Sequence, residues 1–155
     1  GTLSIIEGNW TNAGAYTANG GRVIFNSTNA QHINGTSVTS FFNLNITNQI
    51  GLHQEQNATI TNMLSIAAGA SYRVYPGMLV NQTENSSING TLQIDNKARF
   101  AVSDKGHAVF TGLSTLTLNG KLEVIEGELF NATINSTKIT LNDAYNGFEF
   151  HLQRQ

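Results

Sequence analysis

The chain has no cysteine, a single proline, a single tryptophan and few charges. Without Cys, disulfide scaffolds, thiol catalysis and cysteine metal sites are excluded together. Charged residues make up 12% of the chain and the net charge is −2, so no basic surface for nucleic acid is on offer. No uninterrupted apolar run approaches the roughly 18 residues that a helical membrane span needs, and no membrane-spanning segment is expected. Neither a GxSxG elbow nor a glycine-rich phosphate loop occurs. His32, His53, His107 and His151 never form HxH or HxxxH, so neither a metal site nor a cofactor is expected. The chain begins at Gly1 rather than Met, and a removed leader is the expectation.

What is present is a two-residue rhythm of apolar side chains. Phe42, Leu44 and Ile46 alternate with Asn43, Asn45 and Thr47, and Ala58, Ile60, Leu64 and Ile66 repeat the pattern. Spacing of two rather than three or four argues for strands with one face buried, and no helix is expected. Short polar bends separate the runs, including Tyr75-Pro76-Gly77 and five Asn-Gly pairs, at 19, 34, 89, 119 and 146.

One strand module recurs. Leu118-Asn119-Gly120-Lys121-Leu122-Glu123-Val124 is echoed by Ile88-Asn89-Gly90-Thr91-Leu92-Gln93-Ile94, and more loosely by Ile60 to Ile66. Leu64, Leu92 and Leu122 lie 28 and 30 residues apart, and extending that step reaches Ile33, Leu3 and Leu152. Periods of this size mark repeat architectures. The expected fold is therefore all-β: a parallel β-solenoid (β-helix) of about five coils of ~30 residues, forming a single domain over 1–155. On that grid Leu92 and Leu122 should occupy equivalent interior positions in successive coils. The alternative is an antiparallel β-sandwich of pilin type.

Asparagine is the compositional anomaly, with 20 Asn beside 17 Thr and 11 Ser. Random placement would produce about four N-x-S/T sequons. The chain has ten: Asn9, Asn26, Asn34, Asn45, Asn57, Asn81, Asn85, Asn89, Asn131 and Asn135. Such an excess points to N-linked glycans and hence to an extracellular or cell-surface location.

The run Trp10-Thr-Asn12-x-Gly14-x-Tyr16, Gly21-x-Val23-x-Phe25, Gln31-x-Ile33-x-Gly35 and Phe42-Asn43-Leu44-x-Ile46 resembles the β-helical repeat segments of large bacterial and archaeal surface proteins. The resemblance covers roughly residues 1–50. With the sequons and the missing Cys, it implies an archaeal envelope protein, similar in kind to sheath, surface-layer or filament subunits.

No catalytic constellation stands out. Asp95, Asp104 and Asp143 lie near turns in separate segments, and Glu123 is expected to meet Arg99 or Lys121 in a solvated charge ladder. Trp10, Tyr16, Tyr72 and Tyr75 could in principle form a sugar-stacking strip, although core packing accounts for most of them. The expected function is a structural subunit of a self-assembling, N-glycosylated extracellular filament, sheath or surface layer, and not an enzyme. An adhesin or carbohydrate-binding module is the alternative, with a polysaccharide lyase or hydrolase behind it. The expected partner is a second copy, joined head to tail or by strand exchange through Leu3, Ile5, Phe148, Phe150 and Leu152.

Overall fold

The computed structural model describes residues 1–104, 106–111, 114–124, 128–131 and 138–141. Among the described residues every regular element is a strand and every strand pairing is parallel. The chain is a β-solenoid of about six coils, and the antiparallel sandwich is set aside.

From the second coil on, each complete coil lays one short strand on each of three faces, and in the first coil the third face is marked by the bridge from Thr17 to Ser40. The first face carries β1 (Thr2–Ile5), β3 (Arg22–Phe25), the second half of β5 (Thr39–Ile46), the second half of β7 (Ala58–Ile66), β10 (Asn85–Ile88), β13 (His107–Phe110) and β16 (Glu128–Asn131). The second face carries β2 (Trp10–Asn12), β4 (Gln31–Gly35), β6 (Leu52–Gln54), β8 (Ser71–Val74), β11 (Thr91–Ile94), β14 (Thr115–Leu118) and β17 (Lys138–Leu141). The third is built from the first halves of β5 and β7, followed by β9 (Leu79–Gln82), β12 (Arg99–Val102) and β15 (Lys121–Val124).

Alternation within each strand fills the interior. On the first face Phe25, Ile46, Ile66, Ile88 and Phe110 form one buried ladder, and Val23, Leu44 and Leu64 form another. Leu52, Tyr72, Leu92 and Leu116 stack on the second face. Ala58, Val80, Phe100 and Leu122 do so on the third. Each fully buried Leu, Ile or Phe contributes roughly 1.5–3 kcal/mol. Trp10 closes the first coil, its ring edge-on to Tyr16 at 4.7 Å and tilted against Phe41 at 5.4 Å.

The coil is shorter than the repeat in the sequence suggests. Thr39 pairs with Ala58, 19 residues on, and Leu92 with Leu116, 24 residues on, and these bracket the coil length. The 30-residue recurrence is one coil plus one face. Ile88-Asn89-Gly90-Thr91 turns the corner from the first face to the second, whereas Leu118-Asn119-Gly120-Lys121 turns the next corner, from second to third. The module is a corner unit, reused at a different corner. Leu92 and Leu122 are accordingly both buried but not equivalent, since Leu92 lies between Tyr72 and Leu116 while Leu122 pairs with Phe100. Leu3, expected on the same grid, is 50% exposed in β1.

A second difference lies at the corner within β5. Phe41 is fully buried, Phe42 is only half-buried, and the register between β5 and β7 shifts between Phe41 and Asn43. Between the pairs that Phe41 and Asn43 make, β5 has one residue, Phe42, and β7 has two, Thr61 and Asn62, so the extra residue lies in β7. In β5 the corner itself leaves two successive residues, Phe42 and Asn43, outside the buried set, so the interior series is Thr39, Phe41, Leu44, Ile46 rather than one that includes Phe42.

The Asn-Gly corners have a steric basis. A Cβ on Gly90 would sit 2.3 Å from the Ala70 carbonyl oxygen and 2.4 Å from that of Ala67. Gly120 meets Asp95 and Ala98 in the same way, at 2.2 and 2.4 Å. Both carbonyls belong to the coil beneath, so the corner residue must lack a side chain for the coils to stack.

Leu92→Asp should destabilise the chain by several kcal/mol, because the charge is buried without a partner. Thr91→Asp, on the outside of the same strand, should change stability by less than about 0.5 kcal/mol in a denaturant melt. Equal tolerance at the two positions would refute the assignment of faces. Gly90→Ala should cost about 1–3 kcal/mol by forcing the two coils apart, again read by denaturant midpoint.

Candidate functional site

The outer side of the second face brings together the densest chemistry among the described residues. Parallel pairing puts His32 of β4 in register with His53 of β6, and His53 in register with Arg73 of β8, itself in register with Gln93 of β11. Immediately after the ends of β6, β8 and β11 the chain carries Glu55, Tyr75 and Asp95. Two adjacent outer ladders result, and their side chains touch from coil to coil.

The contacts run continuously up this face. His32 Nδ1 lies 2.7 Å from Glu55 Oε1, and the His32 and His53 rings meet edge to face with centroids 4.9 Å apart. Tyr75 Oη is 3.1 Å from His53 Nδ1. The Arg73 guanidinium lies 4.9 Å over the Tyr75 ring, and its Nε donates to Asp95 Oδ2 at 2.9 Å. Gln93 Nε2 donates to the other Asp95 oxygen at 2.8 Å. Asp95 is buried and doubly satisfied, as a buried carboxylate must be.

His32, His53 and Glu55 each offer a ligand atom within 4.8 Å of the others. The first two come from neighbouring coils, and the third follows directly on the strand that carries His53. His53 has a pKa lowered from its ordinary value, chiefly by burial, then by the charges of His32 and Arg73, while Glu55 and Asp95 oppose the shift. The neutral ring is therefore the favoured form. Gly51, at φ +134°, leaves space beside the imidazole: a Cβ there would come 3.3 Å from His53 Nε2.

The sequence alone does not reveal this cluster, because its two histidines do not fall at helical or single-strand spacing. The informative signal is His53-x-Glu55, two residues apart in the chain, combined with His32 one coil earlier. That second spacing becomes legible only once the coil length is known.

The other candidate residues are placed as follows. Glu123 Oε2 lies 2.6 Å from Arg99 Nε and Glu123 also pairs with Lys121, the expected charge ladder. The four aromatics do not form a strip: Tyr72 is fully buried, its hydroxyl donating to Gln54 Oε1 at 2.8 Å, while Trp10 and Tyr16 pack against the core. Asp104 is exposed on a turn and Asp143 lies outside the described residues. Of the sequon asparagines, Asn9, Asn26 and Asn85 are exposed, and Asn34, Asn45, Asn57, Asn81 and Asn89 are half-buried. Asn131 belongs to β16, and Asn135 lies outside the described residues. Leu3 and Ile5 sit in β1, whereas Phe148, Phe150 and Leu152 lie outside the described residues. No helix among the described residues is long and apolar enough to cross a membrane.

A histidine whose pKa is depressed on folding binds fewer protons in the native state than in the unfolded one. The stability it contributes is present above the ordinary value of 6.5 and is lost as pH falls through the lower folded value. Stability should thus decline below pH 6.5, and His53→Gln should flatten that part of the profile. A His53 ring titrating at or above 6.5 by NMR would contradict the burial argument.

No protein-family model matches the chain, and neither a curated protein nor a solved structure matches it.

Proposed function

We propose that the chain is a structural subunit of a self-assembling, N-glycosylated extracellular filament, sheath or surface layer, of the kind found on archaeal envelopes. The observation that carries this reading is the placement of the sequons. All eight whose side chains are described have their Asn outside the buried set, whereas the two buried asparagines among the described residues, Asn12 and Asn48, fall outside sequons. The eight are spread around the coil: Asn34 on the second face, Asn45 and Asn85 on the first, Asn81 on the third, and Asn9, Asn26, Asn57 and Asn89 at corners.

Local hydrogen bonding supports the same reading. Asn9, Asn34, Asn57 and Asn81 each use the side-chain oxygen as an acceptor, from the His32 amide, the Thr11 hydroxyl, the Leu79 amide and the Ser103 hydroxyl. The amide nitrogen, which carries the sugar in an N-glycan, is outside those bonds. Glycans on all three faces would hinder lateral clumping and leave the coil ends as the natural place of contact. On β1, Leu3 and nearby Ile6 are 50% and 65% exposed, and a further coil laid on that strand would cover them. In the proposed assembly a second copy supplies that coil.

Intact mass of the protein isolated from an N-glycosylating source should exceed the 16.7 kDa polypeptide by several glycans. Asn45→Gln and Asn81→Gln should each remove one glycan's mass. An unmodified polypeptide from the native source would overturn the glycosylated-surface reading.

A further inference from the structure

The cluster on the second face is more than a charge ladder, because it combines two imidazoles and one carboxylate at near-ligating separation. We propose that His32, His53 and Glu55 form a binding site for a divalent metal ion of the zinc class, clamped between the second and third coils. The inference rests on the fold and the side-chain geometry and is independent of the surface-assembly reading.

The donor set selects the ion. Calcium and magnesium take shells built from oxygen, whereas two imidazole nitrogens with one carboxylate oxygen suit zinc, and also copper or nickel. Two ligands about 2.0–2.1 Å from a tetrahedral zinc lie roughly 3.3 Å apart. The His32 Nδ1 to Glu55 Oε1 separation of 2.7 Å is slightly closer than that, and one ligand atom from each of the three residues lies within 4.8 Å of the other two. Small movements of the three side chains therefore suffice, with the ion taking the place of the His32–Glu55 hydrogen bond.

The surroundings fit an ion as well. Tyr75 Oη lies against His53 Nδ1, and in the tautomer whose Nδ1–H donates to that hydroxyl the ring is held in place with Nε2 as its free lone pair. Arg73, the nearest cation in the ladder, is tied to Asp95 in the coil beyond. His32 and Glu55 have side chains 31% and 30% exposed, so the ion has a route from solvent while its ligands stay partly ordered. Three protein ligands leave a fourth position for water or for a donor from a neighbouring molecule. Because the ligands span two coils, the bound ion would cross-link them, and an ion that binds only the folded chain raises its stability.

The test is calorimetric titration of the whole chain with zinc chloride, in a buffer without chelators. One equivalent of zinc should bind and should raise the melting temperature by several degrees at saturation, with no such effect from magnesium. Glu55→Gln and His53→Gln should each weaken binding at least about tenfold. On the unaltered chain, zinc should shift the ring resonances of His32 and His53 in the NMR spectrum while leaving those of His107 in place, a readout that does not depend on any variant folding. Absence of saturable zinc binding would overturn the proposal. So would zinc that binds both variants as tightly as the original chain, or that shifts His107 in place of His32 and His53.

Discussion

Everything in this molecule depends on the parallel coil-to-coil register. Backbone amides of one coil bond to carbonyls of the coil below, as in Asn89 N to Ile66 O at 2.8 Å and Asp95 N to Val74 O at 3.0 Å. A parallel ladder places each residue over its counterpart, so like positions stack: an inward residue in one coil meets inward residues in the next. The apolar ladders, the Asn-Gly corners and the outer His, Glu and Arg columns all follow from that single alignment. It also explains why so few charges suffice, since cohesion comes from the backbone and from the enclosed side chains.

The interior is not purely apolar, and its polar members tie coils together. Gln31 donates to the carbonyls of Ile5 and Gly8 in the first coil and accepts from Asn48 in the third, while Asn48 also caps the amides of Ile50 and Gly51. Three coils are thus joined by one satisfied network at the corner between the first and second faces. Gln82 is less complete, since its Nε2 donates to Asn85 O at 2.7 Å while its Oε1 is buried without a protein partner. A buried carbonyl of that kind is a natural place for an ordered water.

Much of the architecture was legible in the residues. Alternation identified the strands, and β3 at Arg22–Phe25 and the outward positions of Asn45 and Asn89 follow from it directly. Coil length was not legible, because the most similar segments, around Gly90 and Gly120, share a corner geometry rather than a position along the axis. Backbone crowding demands glycine at a corner where carbonyls approach, as at Gly90, Gly106 and Gly120, so sequence likeness reports the local turn and not the repeat. The parity change at Phe42 has a related origin: where β5 turns its corner two successive residues lie outside the buried set, and the hydrophobic pattern carries no mark of it. The histidine cluster was hidden for a third reason, since two of its members come together through a register that depends on the coil length itself.

The short coil has a mechanical consequence. Bonds between coils run along the axis of the stack, and each coil touches only its two neighbours, so tension applied between the first and last coils loads these bonds one layer at a time. Peeling one coil of 19–24 residues releases about 65–85 Å of extended chain. A shaft built this way yields in equal steps rather than snapping, and an ion held between two of its layers would set which step gives way last.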